Sequence, residues 1–334
     1  MRDLAIVITS LNDASWLPRC LGTLFAHAEG VDLDVVVVDI ESDDETGPLL
    51  RREFPQVRIV QCRNLGFAHA NNRGYLATNS RYVLFLNPDT EWVEGDLASA
   101  VRAMDERPTV GIAGCRQFAG DGSLYPTMRR FMTPMRALAQ ALGSERVAPW
   151  AGQRVLDMSL YDRERTAEWV VGSWMLARRE ALLSAGCLDE RYFLYSEEED
   201  LCRRVRRAGW EISYLPQFTI IHHFGKAGVN PRLEAQRAYA KLQYSVQYER
   251  PAMVALMRAA MCAGYAVRII RHIVRREWPR VRAQVRGLRV AAGLDGAPFE
   301  NPPATGLSDG AVRDVERQLA PACNGRDPSA SSVR

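Results

Sequence analysis

Apolar residues in the first half of this chain form short continuous runs, and these alternate with stretches where apolar positions recur every three or four residues. Residues 4–9 predict a strand, and 16–27 carry helical spacing. Residues 34–39 hold four consecutive valines, the pattern of a strand buried on both faces. A short helix over 47–54, a strand over 57–61, a helix over 68–77 and a strand over 82–86 continue the alternation. This rhythm predicts an α/β protein with a doubly wound parallel sheet. Ligands in such sheets bind beyond the carboxyl ends of the strands. The residues there are Ser10, Asn12 and Asp13, then 39–44, then Arg63 and Asn64, then Asn87-Pro88-Asp89. All four exits are polar, as a nucleotide pocket requires. No Gly-x-Gly-x-x-Gly follows the first strand and no Gly-x-x-x-x-Gly-Lys-Ser/Thr occurs, which argues against dehydrogenases and P-loop enzymes.

Periodicity weakens over 118–165, where glycines and prolines predict loops and short helices beside the sheet. Order returns over 169–177, followed by helices over 178–185 and 197–208, the second ended by Gly209. Strands are expected over 211–215 and 219–221, and mainly helix over 231–290. From 291 the chain turns rich in Gly, Pro, Ser and Asp, the composition of a poorly ordered tail.

With 334 residues, 47% of them hydrophobic and 25% charged, the composition is that of a folded protein. No run of about 18 uncharged apolar residues appears, so a spanning helix is not expected. The seven cysteines are scattered without a Cys-x-x-Cys pair, which disfavours a zinc ribbon or disulfide framework and favours a reducing cytoplasm. The net charge of +3 conceals an asymmetry: residues 251–290 hold nine arginines against one glutamate, a local +8. Combined with the apolar stretch 253–270, this fits an amphipathic basic helix pair on an anionic membrane face. A hairpin packed on the rest of the chain or in a homodimer fits equally. No nucleic-acid motif accompanies the charge.

Three places carry candidate chemistry. Asp89 directly follows an apolar run, anchored by a strand yet facing the pocket, where it suits a divalent metal or merely closes an Asx turn. The run Ser196-Glu-Glu-Glu-Asp200 opens a helix, with Ser196 and Glu199 spaced as a capping box. Carboxylates at a helix N-terminus stay ionised, as a general base must, so a catalytic acid is expected within 197–200. His222 and His223 end a strand, so only one can face the pocket. Gly225 and Lys226 beyond them suggest a tight turn beside an anion.

Eight segments in order resemble one family over roughly residues 4–228. They are Ile6-Val-Ile-Thr-Ser-Leu-Asn12, Val37-Val-Asp-Ile-Glu-Ser-Asp-Asp44, Asn64-Leu-Gly-Phe-Ala-x-Ala-Asn-Asn72 with Gly74, and Phe85-Leu-Asn-Pro-Asp89. They continue with Gly172-Ser-Trp-Met175, Phe193-Leu-Tyr-Ser-Glu-Glu-Glu-Asp-Leu-Cys202, Ala208-Gly-Trp210 and His222-x-x-Gly225. The set is similar to the family-2 inverting glycosyltransferases of the GT-A fold, in particular the rhamnosyltransferase-like branch. That resemblance implies a Rossmann-like, mainly parallel sheet with flanking helices in a catalytic domain over 1–230. A helical basic extension over 231–290 and the tail over 291–334 would follow.

The resemblance also implies roles. Thr9, Ser10 and Asp39 would hold the nucleotide base, Ser42 and Asp44 would support that loop, and Asn12 and Asn87 would lie on the same side. Asn64, Gly66 and Asn72 would line the ribose or sugar. Asp89 would be the last residue of the Asp-x-Asp metal motif, reduced here to Asn87-Pro-Asp89, with His222 completing a Mg²⁺ or Mn²⁺ site. The catalytic base falls on Glu198, with Asp200 as its substitute. Gly172, Ser173 and Trp174 would shape the acceptor side. Ile40 departs from the family, which often has asparagine there. The implied reaction moves a sugar, rhamnose first, from a nucleoside diphosphate to a hydroxyl of a glycan or polyprenyl-linked acceptor in bacterial surface polysaccharide synthesis. The rivals are a sugar-nucleotide nucleotidyltransferase, which should carry a Gly-rich basic loop where Ser10-Leu-Asn-Asp13 stands, and a non-catalytic nucleotide-sugar-binding scaffold.

Overall fold

The structure, a computed structural model, describes residues 1–143, 148–224 and 228–299. Its first half follows the predicted alternation: β1 (Arg2–Ser10), α1 (Leu17–Ala26), β2 (Leu33–Ile40), α2 (Thr46–Glu53), β3 (Arg58–Cys62), α3 (Phe67–Leu76) and β4 (Ser80–Leu86). These four strands are parallel in the order β3-β2-β1-β4. The pleat sends alternate residues to opposite layers. Leu4, Ile6 and Ile8 pack with Leu17, Leu21 and Leu24 on one face. Val7, Val36 and Val38 pack with Ala70 and Tyr75 on the other. Each such buried side chain contributes about 1.5–3 kcal/mol over its exposed state. Gly74 lets α3 lie close on the sheet, because a Cβ there would sit 2.3 Å from Val7 Cγ1.

The second half breaks the parallel pattern. It comprises β5 (Thr90–Glu94), α4 (Leu97–Asp105), β6 (Val110–Ala119), β7 (Leu124–Tyr125), β8 (Met128–Arg129) and α5 (Pro134–Leu142). After these come β9 (Arg165–Thr166), β10 (Trp169–Val170), β11 (Trp174–Arg178), α6 (Arg179–Ala185), α7 (Glu197–Arg207) and β12 (Glu211–His222). The ten-stranded sheet extends past β4 as β11-β6-β12-β5, with β11 antiparallel to both its neighbours and β5 antiparallel to β12. Thus the sheet is mixed, parallel chiefly in its β3-β2-β1-β4 half. The two strands expected over 211–221 are one, β12, whose register shifts between Leu215 and Thr219. Pro216 lies in that gap and has no N–H to give the ladder.

β5, α4 and β6 have no counterpart among the predicted elements. For α4 the signal was present: Asp96 caps it by accepting from Ser99 N at 2.6 Å, ahead of the buried Leu97, Ala100, Val101 and Met104. The capping box expected at α7 does not form. Ser196 has φ 68° and no side-chain cap bond, and Glu199 instead accepts from Met132 N and Gln153 Nε2.

Helices α8 (Pro231–Tyr248), α9 (Pro251–Val274) and α10 (Trp278–Ala291) form a bundle with α5. Met257, Ala260, Met261 and Tyr265 of α9 are buried there with Ala137, Ala238, Val290 and Tyr192. By length and composition alone α9 is apolar enough to cross a membrane, with mean hydropathy 1.5 over 18 residues, although Arg258 and Arg268 interrupt the run. Of the tail expected from 291, residues 292–299 are described, and Phe299 stacks on Phe193 at 4.4 Å; 300–334 lie outside the described residues, as do Gly225 and Lys226.

Candidate active site

The loops after β1 and β2 are stitched together by the polar residues at the strand exits. Asn12 N donates to Ser42 Oγ (2.9 Å), and Asp43 N donates to Asn12 Oδ1 (2.9 Å). Asp44 accepts from Ala14 N and Thr46 N, bracing the first turn of α2. Asp39, buried at the end of β2, accepts from Ser42 N (3.1 Å) and Gln61 Nε2 (2.9 Å), while Ser10 Oγ reaches Asp13. Thr9 lies buried beside Val38 in the β1–β2 pair. Asn12, Ser42 and Asp44 therefore hold the loops, and Asp39 anchors them at the sheet.

The α3 turn is different. Gly66 has φ 105°, and a Cβ there would sit 2.5 Å from Phe193 O; Phe67 N donates to the same oxygen at 2.7 Å. Only glycine fits this approach, which ties α3 to the segment leading into α7. Asn64 is exposed, with its backbone N–H on Glu41. Asn72 does not line a sugar site. It is wholly buried, donates to Leu188 O and Glu190, and accepts from Leu188 N, so its amide is spent holding α3 to the 188–190 turn. His69 supports the same turn through Glu190 at 2.7 Å.

A cleft of about 610 Å³ opens where β4, β11, β12 and α7 converge, and Asn87, Gly172, Ser173, Glu197, Glu198 and His222 line it. His222 Nε2 lies 3.1 Å from Asp89 Oδ1 and 3.4 Å from Asn87 Nδ2. His223, on the opposite face, stacks on Trp16 and meets Glu91, as strand alternation requires. Buried Asn87 Oδ1 and His222 Nδ1 have no hydrogen-bond partner. Unsatisfied buried acceptors are costly, and they mark a place built for a ligand. A carboxylate and an imidazole facing each other, with an amide oxygen beside them, fit a divalent cation completed by ligand oxygens. Among the described residues no third His, Cys, Asp or Glu joins them.

The four acids of α7 divide by environment. Tyr195 and Ser196 both take left-handed φ, 71° and 68°, and swing the acids inward. Such strain costs about 1–3 kcal/mol per residue and persists only where neighbours impose it. Gln236 Nε2 on Leu194 O and the Arg237 guanidinium 4.6 Å over the Tyr195 ring do so. Asp200 is turned away from the cleft and saturated by Arg204, Gln247 and Tyr248, so it is not a substitute base. Glu199 is buried against Met132 and Gln153, and burial pushes its carboxyl up to about 8. Glu197 and Glu198 each keep a buried, unpartnered Oε2. Burial raises both above the ordinary glutamate range; the neighbouring Glu198 raises Glu197 further, and Arg129 partly offsets the rise for Glu198. Glu198 alone of the four retains partial solvent access, and it lies against Gly172, where a Cβ would stand 3.6 Å from its own.

Glu199 carries a stability consequence. A carboxyl raised from 4.5 to about 8 on folding stabilises the fold below the lower value, and that contribution is lost as pH rises through the upper. Glu199→Gln keeps the shape without the charge. The variant should gain stability relative to wild type between pH 5 and pH 8, measured by parallel thermal melts; a gap independent of pH would refute the buried neutral carboxyl.

Ser173 bonds Gln117 (2.8 Å) and its carbonyl holds Asn87 N (3.0 Å), so it positions the cleft wall. Trp174 does not face an acceptor. It is fully buried on the far side of the sheet against Trp92 and Phe218, as alternation from Ser173 dictates. Arg129, Arg154 and Lys241, which no sequence motif singles out, also line the cleft. They come from the short strand β8, from the segment after α5 and from α8, and nothing in their local pattern separates them from solvated charges.

The sequence profile described as glycosyl transferase family 2 matches residues 5–166. The chain is 31% identical over 234 residues to the N-acetylglucosaminyl-diphospho-decaprenol L-rhamnosyltransferase of Mycobacterium tuberculosis, covering 66% of this chain and 76% of that protein. It is 28% identical over 230 residues to the rhamnosyltransferase WbbL of Escherichia coli K12, covering 65% and 82%. Among solved structures, a mannosyltransferase from Pyrobaculum calidifontis in complex with GDP-Man and Mn²⁺ superposes with a TM-score of 0.51 at 18% identity, over 88% of each chain. GalNAc-T7 with UDP, GalNAc and Mn²⁺ gives 0.54 at 14% identity, over 72% of this chain and 47% of the other. These structural likenesses establish a GT-A-type fold.

Proposed function

The chain belongs to glycosyltransferase family 2 and is a glycosyltransferase, and from that premise we propose that it transfers rhamnose from a nucleoside diphosphate to a hydroxyl of a glycan or polyprenyl-linked acceptor, inverting the anomeric carbon. The relatives named as rhamnosyltransferases support the sugar, and the decaprenol-linked substrate in one name supports the acceptor class and a role in surface polysaccharide. The observation that carries the reading is Glu198 in the cleft. It is a partly accessible residue with an unpartnered carboxylate oxygen, in the same cleft as His222, which faces Asp89.

In this reading the stitched loops after β1 and β2 receive the base beside Asp39, and Asp89, His222 and Asn87 hold a divalent cation. Such a cation supplies neutralising charge to the leaving diphosphate. Glu198 accepts the proton of the attacking hydroxyl as the new bond forms opposite the leaving group. A nucleotidyltransferase is not favoured, because the β1 exit is held by Asn12 and Asp13 and has no glycine-rich basic loop.

The catalytic unit in this proposal is residues 1–230, with 231–290 as a basic helical extension that meets the inner face of the cytoplasmic membrane. Exposed Ile270, Val274 and Trp278 alternate with Arg271, Arg275 and Arg280 where α9 turns into α10. Apolar and cationic groups mixed on one corner suit an anionic lipid surface.

Thermal melts with UDP, dTDP, GDP and ADP, each with and without Mn²⁺ or Mg²⁺, test the donor reading. A ligand at 100 times its dissociation constant should add about 2.7 kcal/mol of stability. One nucleotide should stabilise the protein, and only with metal. No shift with any of them would sink the proposal.

A further inference from the structure

The cleft has a cationic end that the donor reading does not use. Beyond Glu198 its wall is formed by Arg129, Arg154, Arg237 and Lys241. Arg129 is buried, 7% exposed; its Nη2 donates to Tyr125 at 2.9 Å, and its Nη1 has no partner. Arg154 is held beside it, because the two backbones form an antiparallel bridge. Lys241 projects from α8 toward Gln140 of α5 at 3.5 Å. A buried guanidinium with an unsatisfied nitrogen is expensive unless an anion completes it. Glu198 attracts it only through space, with no ion-pair contact between the two among the described residues. Three glutamates of α7 border this wall, and Glu199 is already occupied by Met132 and Gln153. Arginine pairs favour phosphate oxygens, which accept bidentate, charge-assisted hydrogen bonds.

Resting on the glycosyltransferase reading above, we propose that Arg129 and Arg154, with Lys241 behind them, form a subsite for the diphosphate of the acceptor, separate from the donor diphosphate at Asp89 and His222. Its setting agrees with a lipid-linked acceptor. Gln140 and Lys241 also border the groove between α5 and α9, and on that flank Met135, Leu142 and Trp150 are 64–76% exposed. An acceptor held there by its diphosphate presents its sugar hydroxyl toward Glu198, and its hydrocarbon leaves over the apolar flank.

Titration with inorganic pyrophosphate in metal-free buffer tests the subsite. Wild type and Asp89→Asn should bind it alike, and Arg129→Gln and Arg154→Gln should each bind at least about tenfold more weakly. Binding lost in Asp89→Asn but intact in the arginine variants would overturn the proposal, as would no binding to wild type. Arg154→Gln, at a half-buried position, guards against misfolding of the buried Arg129 variant. The source of the diphosphate is decided by the nucleotide that stabilises the protein with Mn²⁺. Unchanged affinity for it in both arginine variants assigns the subsite to the acceptor, and equal weakening assigns the arginines to the donor and overturns the proposal. If no nucleotide binds, the donor reading falls, and the pyrophosphate titration still decides whether the arginines hold a diphosphate.

Discussion

Glu198→Gln is expected to lower kcat by about 100-fold or more while leaving metal-dependent nucleotide binding intact, since proton transfer to a positioned base is worth about 10²–10⁴. Glutamine preserves the shape and removes only the proton acceptor. The cleft geometry isolates this residue: Asp200 is saturated by Arg204, Gln247 and Tyr248, and Glu199 by Met132 and Gln153. Glu197, which is more deeply buried, is the remaining competitor. Single-turnover rates of Glu197→Gln and Glu198→Gln compared side by side settle the assignment, and full activity in Glu198→Gln would remove Glu198 from the role of base. The wild-type rate should also climb with pH through a midpoint above the ordinary glutamate value, because burial raises this carboxyl and only the ionised form accepts a proton.

Asp89→Asn should abolish the stabilisation given by nucleotide together with Mn²⁺ and reduce kcat by about 10²–10³, the loss typical when charge stabilisation at a leaving group is removed. The substitution keeps an oxygen near His222 but removes the negative charge that, with the imidazole, fits a dication. Because Asp89 is only 14% exposed and faces His222, the unliganded melt of the variant is the control that separates lost metal binding from lost stability. Retention of the Mn²⁺-dependent shift in this variant would remove Asp89 from the metal site.

The period-two and helical patterns of the first 90 residues made the parallel half of the sheet legible, because alternation of buried and exposed positions is a local property. The β12 bulge was half legible, since Pro216 marked the break but not that one strand continues across it. Charge at the edge concealed β5, and glycines weakened β6, whose strand character comes from its neighbours. Trp174 and Asn72 show the limit most clearly. Each sits in a motif shared with the family, yet one faces the core and the other is consumed by the 188–190 turn.

The sequence by itself determined the family, the order of the elements through β4, the polar strand exits and the short run of acids from which a base must come. Tertiary structure decided which acid it is. Four consecutive carboxylates at a helix start are equivalent in sequence, and they become different only when Arg204, Gln153 and the Gly172 wall meet three of them from distant parts of the chain. The same holds for Arg129, a buried guanidinium whose Nη1 is left without a partner, because its surroundings exist only in the folded chain.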